Sequence, residues 1–337
     1  KNSMNSYLKN KENNQFILIT GVAGFIGYHV CNKLLEKGYN CIGIDNINNY
    51  YDIDLKKERL KKLKKLKRFK FLKIDISKKK DFIKLEKYKF NIVINLAAQA
   101  GVRYAFKKPE VYIKSNIIGF NNLLNFIKLK KIKKLIFAST SSVYGDIVQF
   151  PWSEKQNANK PLTIYSSSKI FNENLAYGFS RYNNTKCLGL RFFTVYGNYG
   201  RPDMSIYKFT KNILENKEIT IFNKGNHSRD FTHVDVVKDI IYQLTFEKKW
   251  KNIFHNKKFE ILNIAGGHKI KLLKLIELIE KYCKKKAVRK YVGMQDGDIK
   301  ETEASLHKLK KYKLLKKKVK IETGIKKFVM WYKNYVH

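Results

Sequence analysis

The sequence predicts an α/β protein, a doubly wound parallel sheet with a smaller C-terminal substrate-binding lobe. Three observations carry this. Phe16 to Gly27 (FILITGVAGFIG) runs from a short apolar strand through Gly21-x-x-Gly24-x-x-Gly27 into an amphipathic helix. A second strand, Cys41 to Ile44, follows and ends on Asp45. Further on, Phe90 to Ala98 (FNIVINLAA) is apolar without alternation, as a strand in a parallel sheet covered on both faces should be.

Phe16 opens four apolar residues and a Thr, too short for a helix and bounded by glycine, hence a buried strand. Phe25, Ile26, Val30, Leu34 and Leu35 then recur at helical spacing, and Gly38 closes the run as a C-cap. A strand turning on glycines into a helix aims free N–H groups and the positive helix end at an anion. Gly21, Gly24, Phe25, Ile26 and Gly27 are therefore candidate cofactor contacts. Asp45, with Asn46 beside it, lies roughly 20 residues beyond the glycines, where a dinucleotide site wants a carboxylate for the ribose hydroxyls. That acid repels a 2′-phosphate, so the expected cofactor is NAD rather than NADP. A tight turn with no ligand is the bland alternative, and the whole strand–turn–helix–strand–Asp unit weighs against it.

Phe69 to Asp75 (FKFLKID) is a third strand, placing Asp75 and Ile76 at the adenine end, although a plain strand-end Asp reads equally well. Leu96, Ala97 and Ala98 end the apolar strand and lead into AAQAGVR, where small residues let backbone approach a ligand. Ser115 to Leu129 is a helix. Leu135 to Thr140 (LIFAST) is the next strand, and Ser139-Thr140-Ser141-Ser142 sets four hydroxyls where open α/β sheets bind ligands. A Ser/Thr-rich turn is the competing reading. Tyr165 and Lys169 follow in YSSSK, at the start of a helix reaching Tyr182, with i, i+4 spacing that stacks both on one face. An ammonium beside a phenol favours phenolate and makes a base near neutral pH. With 21 Tyr and so many Lys, position gives this pair its meaning.

Cys187 to Phe193 is a strand leading to Thr194 and on to Gly200-Arg201-Pro202-Asp203-Met204. After a polar helix, Ile219 to Phe231 contains Phe222 and Arg229. Phe259 to Ala265 is a late strand, Lys269 to Cys283 a surface helix, Gln295-Asp296-Gly297-Asp298 a loop, and Ile325 to Val336 the last helix. The expected division is a flexible tail over 1–15 and an NAD-binding domain over 16–193, to which the chain returns around 232–265. The substrate-binding lobe then takes 194–231 and 266–337. Arg103, Arg191, Arg201 and Arg229, four of only eight arginines, border these loops. Where Lys is the default cation, an Arg suggests a phosphate or carboxylate to grip. Arg191, inside a strand, reads equally well as a structural ion pair.

The 337 residues suffice for a substantial core, and 44% hydrophobic residues suit a globular protein. No apolar run approaches the roughly 20 residues of a membrane span, and no signal-peptide core is visible. Cys31, Cys41, Cys187 and Cys283 are scattered without metal spacing and read as reduced thiols of a cytoplasmic protein, with no metal expected. The net charge of +42 invites nucleic acid, yet its lysines spread through every helix. Lys56 to Lys80 carries Leu55, Leu60, Leu63 and Leu66 at the spacing of an ordinary surface helix. No RNA-binding or zinc-finger signature accompanies the charge, so no specific nucleic-acid partner is expected.

Several long strings, IDNINNYYD, NLAAQAGVRYAF, STSSVYG, LRFFTVYGNYGRPDM and FVMWY, resemble the extended short-chain dehydrogenase/reductase family. Within it they resemble the nucleotide-sugar epimerases, above all the capsule-type UDP-glucuronate 4-epimerases. The resemblance spans nearly the whole chain and implies a Rossmann-like domain, bound NAD and a UDP-sugar substrate. It implies catalysis by Thr140, Tyr165 and Lys169: Tyr165 as base at the sugar O4, Lys169 holding it as phenolate, Thr140 bonding O4. Arg229 would hold the UDP phosphates, Asp298 would lie near the ribose, and Arg103 and Phe222 would join the substrate set. Ser141, Ser142, Thr194 and Arg201 fall where these epimerases contact or cover the sugar carboxylate. The implied reaction is interconversion of UDP-glucuronate and UDP-galacturonate through a transient 4-keto sugar. Related dehydratases and decarboxylases carry an acid where Ser142 stands, and UDP-glucose 4-epimerases typically carry Asn where Thr194 stands. A UDP-glucose or UDP-N-acetylhexosamine 4-epimerase is the alternative, and a basic NAD-binding protein without catalysis a more distant one. Two departures stand out: Asp296 replaces a frequent Pro, and Ser166 to Ser168 replace small Ala-type residues. Family members pair as homodimers through two helices per subunit, for which the helices near Ser115 to Leu129 and Tyr165 to Tyr182 are the candidates.

Overall fold

The structure, a computed structural model, describes residues 15–267, 269–294, 298–316 and 318–336. The expected tail is therefore outside the described residues except for Gln15, and so are Gln295, Asp296 and Gly297 of the expected loop. The first half of the chain alternates strand and helix: β1 (Phe16–Thr20), α1 (Phe25–Glu36), β2 (Cys41–Asp45), α2 (Ile53–Lys64), β3 (Phe69–Lys73) and β4 (Phe90–Asn95). A π-helical turn (Ile113–Ile118) leads into α3 (Gly119–Leu129), followed by β5 (Lys134–Thr140), α4 (Ile164–Tyr182) and β6 (Lys186–Phe192).

Because β-strand side chains alternate, Ile17 and Ile19 of β1 enter one apolar layer and Leu18 the other. The first layer is closed by α1 and α2, the second by Phe120, Leu123, Leu124 and Ile127 of α3 and by Ala176 of α4. A strand with both faces buried in this way reads as an unbroken apolar run.

The return of the chain supplies the seventh strand. After β7 (Thr194–Tyr196), α5 (Ser205–Leu214), β8 (Glu218–Ile221) and β9 (Ser228–His233), the helices α6 (Val234–Gln243) and α7 (Glu247–Phe254) lead to β10 (Phe259–Ile264). The large sheet has the order β10-β6-β5-β4-β1-β2-β3, with every pairing parallel. The order reverses between β1 and β4, the switch point where such sheets open a crevice for ligands.

Beyond β10, besides a short helix (His307–Lys311) whose Leu309 joins the main core, come β11 (Lys269–Lys271), α8 (Leu272–Cys283), β12 (Val288–Tyr291) and α9 (Ile321–Val336). They build the smaller lobe: a sheet of order β11-β9-β7, a β12-β8 pair, and an apolar cluster of Ile206, Ile221, Leu275, Ile279, Ile325 and Phe328. Leu55 of α2 inserts into that cluster and ties the two parts together.

Three expected boundaries move. Lys269–Lys271 is a strand, because its backbone pairs antiparallel with Ser228–Asp230 before the helix starts. The last helix begins four residues early, at Ile321. Helical structure before α3 begins at Glu110 rather than Ser115. Among the described residues no helix is long and apolar enough to cross a membrane.

Candidate active site

A cleft of about 400 Å³ lies along the C-terminal ends of the sheet strands. Its floor is the glycine turn. Gly21 has φ +70°, and a Cβ there would sit 2.7 Å from Ala97 N, so the turn and the end of β4 touch through bare backbone. A Cβ on Gly27 would lie 2.1 Å from the Gly21 carbonyl oxygen, which no rearrangement short of opening the turn relieves. The N–H groups of Gly21, Val22, Ala23 and Gly24 are spent on Ile44, Asp45 and Gly21 itself. Those of Phe25 and Ile26, at the first turn of α1, remain to meet an anion in the cleft. The Asp45 carboxylate caps this arrangement, accepting from Ala23 N at 3.1 Å and Ile47 N at 2.8 Å. Burial raises it, while the Ile47 bond and the Lys56 charge pull the other way. Asp75 accepts from Asn46 Nδ2 at 3.3 Å and from Ser77; despite its burial, the Ser77 bonds hold it below the usual carboxylate range. This cradle fits a dinucleotide: bare backbone, free amides at a helix start, and an acid about 20 residues on.

Every cofactor residue expected from the sequence lines this one cleft, from Gly21 to Lys169. So do Thr140, Ser141, Ser142, Thr194 and Arg201. Thr140 ends β5, accepting Ser142 N at 3.2 Å and donating to Ser142 Oγ at 3.2 Å, which starts a short helical turn over the cleft. Tyr165 lines the cleft together with Thr140. Burial raises this phenol, and the opposing influences are Thr140 and the Arg201 charge. Lys169 Nζ donates to Ala138 O at 3.0 Å, and burial lowers its pKa to about 8, with Glu173 opposing.

The helix carrying both residues is held at its start by a reciprocal Thr163–Ser166 cap, and Ser168 Oγ accepts from Asn116 Nδ2 at 2.9 Å. Asn116, in the π-helical turn, also bonds Gln99 N and O, so the end of β4 and the start of α4 are pinned through one amide. Two of the three serines that depart from the expected small residues thus do structural work. Arg191 belongs with them: its fork grips Glu173 at 2.9 and 2.7 Å, and Glu173 also accepts from Ser139. That is the structural ion pair.

Over residues 17–261 the chain matches the NAD dependent epimerase/dehydratase family. The chain belongs to that family. Among its epimerase/dehydratase relatives, Protein CapI of Staphylococcus aureus is 40% identical over 330 residues, covering 95% of this chain and 98% of CapI. A UDP-glucuronate 4-epimerase of Thermodesulfobacterium geofontis is 40% identical over 324 residues, covering 95% and 97%. The crystal structure of UDP-glucuronic acid 4-epimerase from Bacillus cereus, in complex with UDP-glucuronic acid and NAD, is similar with a TM-score of 0.87 at 31% identity. It covers 95% of this chain and 100% of that one.

The other four expected substrate residues of this family member gather beside the cleft rather than along it. Arg229 Nη2 donates to Asp298 Oδ1 at 2.9 Å and Nη1 to Lys300 O at 3.0 Å. Arg103 lies 3.9 Å from the other Asp298 oxygen and 4.6 Å above the Phe222 ring. Sequence reasoning missed a fifth member, His227, whose buried Nε2 stands 3.4 Å from Asp298 and which burial keeps toward the neutral form. It also missed Tyr50, Lys56, Gln99 and Met204, all lining the cleft. Tyr50 and Gln99 fall inside IDNINNYYD and NLAAQAGVRYAF, so the signal was there, carried by loop residues with no periodicity to single them out.

Proposed function

We propose that this protein interconverts UDP-glucuronate and UDP-galacturonate by NAD-dependent 4-epimerisation. The observation that carries the reading is one cleft holding the glycine cradle, the Thr140–Tyr165–Lys169 set and an uncharged hydroxyl row with a single Arg. Tyr165 as phenolate takes the proton from O4 of the sugar, and Thr140 donates to O4 as it becomes a carbonyl. NAD, held by the Gly21–Gly27 turn and Asp45, would supply a reversible hydride acceptor for C4, so that no net oxidation occurs. Tyr165 then gives the proton back to O4. Lys169 supplies positive charge beneath the reacting groups, favouring phenolate at the moment it is needed.

Ser141, Ser142, Thr194 and Arg201 receive the sugar carboxylate. Ser142 is the decisive position against a decarboxylase or dehydratase, since a hydroxyl there offers no acid–base group for a second step. Arg229 and Arg103, beside Asp298 and the neutral His227, form the cationic flank for the UDP diphosphate. The smaller lobe (194–231 and 266–337) then serves the nucleotide sugar, while 16–193 with the return over 232–265 serves NAD. We place the protein in the cytoplasm as a homodimer for polysaccharide biosynthesis. Four free buried cysteines suit a reducing compartment, and the apolar outer face of α4 (Ile164, Phe171, Tyr177) beside Ile118 suits subunit pairing.

The test is to incubate the NAD-loaded protein with UDP-glucuronate and resolve products by NMR. UDP-galacturonate is expected, and Tyr165→Phe should lower its formation by about 10²–10⁴-fold. UDP-xylose as product, or turnover of UDP-glucose alone, sinks the reading.

A further inference from the structure

Arg201 lines the cleft beside Thr194 and the Ser141–Ser142 turn, yet its guanidinium is already engaged. Nε donates to Oδ1 of Asp203 at 3.0 Å and Nη2 to Oδ2 at 2.5 Å. The Tyr50 phenol, 153 residues away in sequence, donates to the same Oδ2 at 3.1 Å. Gly101, with φ +101°, makes room for this group: a Cβ there would sit 2.2 Å from the Tyr50 oxygen and 3.8 Å from Arg201 Nη2. A two-pronged contact of carboxylate with guanidinium is also what a bound sugar carboxylate would form. Asp203 stays ionised: despite its burial, the Arg201 charge and bonds hold it low. A cleft read as receiving an anionic sugar therefore carries its own carboxylate on the one Arg that lines it.

We propose that Asp203 is an internal counter-ion, occupying the fork of Arg201 and setting how strongly the cleft grips an anionic sugar relative to a neutral one. This rests on the UDP-hexuronate reading. The physical sense is a limit on affinity. The 4-keto sugar must leave one pose and enter another with its carboxylate attached, and an unpaired buried guanidinium would hold that carboxylate through the turn. With Asp203 in place the pair is close to neutral, so the substrate carboxylate is oriented by the remaining N–H groups and the hydroxyl row. Tyr50 keeps the pair closed from the other side. Asp203 is a positioning and specificity residue, acting through Arg201.

Asp203→Asn tests this, because the amide keeps an acceptor for Arg201 and for Tyr50 while losing the charge. The expected result is a KM for UDP-glucuronate lower by about threefold or more with a reduced kcat, and a KM for UDP-glucose within about twofold of the parent. A second readout is the acid limb of kcat/KM. Arg201 already favours Tyr165 phenolate, so removing its counter-ion should move that limb to lower pH. An equal rise of both KM values with an unmoved acid limb overturns the proposal and leaves Asp203 as packing. Should the parent enzyme turn over neither sugar, the functional reading has failed separately. Calorimetric affinities for the two nucleotide sugars then still decide the counter-ion, by whether their ratio moves toward the acid in Asp203→Asn. If that variant does not fold, Tyr50→Phe should shift the same ratio in the same direction by a smaller factor, and an unchanged ratio overturns the proposal.

Discussion

Only 3% of Lys169 is exposed, so the fold carries an ammonium where an apolar side chain would be more stable. Its folded pKa of about 8 lies below the ordinary value, 10.5. The protonated form is the disfavoured one in the folded state, so stability falls as pH falls from the ordinary value toward about 8, and below that the whole cost is present. Lys169→Met should therefore raise the melting temperature of the NAD-free protein at pH 7 by a few degrees, a gain on the order of 1–3 kcal/mol. The same variant should lose about 10²-fold or more in turnover. A melting temperature that stays put or drops, measured by calorimetry at pH 7 and at pH 9.5, contradicts the claim that the lysine is held at a cost for chemistry. Glu173 explains why the cost is tolerable: locked by Arg191 and Ser139, it supplies the nearby negative charge that keeps Lys169 from falling further.

A second buried cation joins elements rather than charges. Arg59, fully buried on α2, donates to Ala23 O in the glycine turn at 2.8 Å, to the Tyr51 hydroxyl at 2.7 Å and to Tyr199 O at 2.6 Å. Among the described residues it has no carboxylate at ion-pair distance. It thus ties the start of α1 to the segment immediately before Arg201, holding the cofactor cradle and the sugar-side loop in one frame. Arg59→Met should weaken NAD binding to the stripped protein about tenfold, the value of one charge-assisted hydrogen bond. Wild-type affinity by titration calorimetry would mean the turn holds itself. What the chain revealed in advance follows from range. The β1–α1–β2 unit was legible because its signals, a period, three glycines and an acid, are local. Thr140, Tyr165 and Lys169 were legible as positions at strand and helix ends. Arg59 was not, since nothing marks it on a lysine-rich helix until Tyr199 arrives 140 residues later. The β11 strand was hidden for the same reason: only its register with β9 makes Lys269–Lys271 extended. The direction in which Lys169 points was equally invisible, because i, i+4 spacing fixes a face and leaves the partner of the ammonium open.

At the scale of the whole molecule, two features act against each other. The outer surface of α4 presents Ile164, Phe171 and Tyr177, each more than 40% exposed, and Ile118 before α3 is 47% exposed. Apolar residues of that size on neighbouring helices call for cover, and a second copy of the same face is self-complementary about a two-fold axis. Yet each subunit carries a formal +42, so two copies approach against mutual repulsion. Lys114 lies four residues before Ile118, and Arg181 lies in the last turn of α4. If burial of the apolar face drives association, salt should help it. Screening shortens from about 10 Å at 0.1 M to about 3 Å at 1 M and removes the repulsion, while apolar burial persists. The dimer dissociation constant, followed by sedimentation between 50 and 500 mM NaCl, should fall severalfold. Phe171→Lys, which deletes apolar area and adds charge at the centre of the face, should give monomers throughout that range with the parent's NAD content. Dissociation on adding salt would instead point to an interface built from ion pairs, and would move the subunit contact away from the Ile118–Phe171 face.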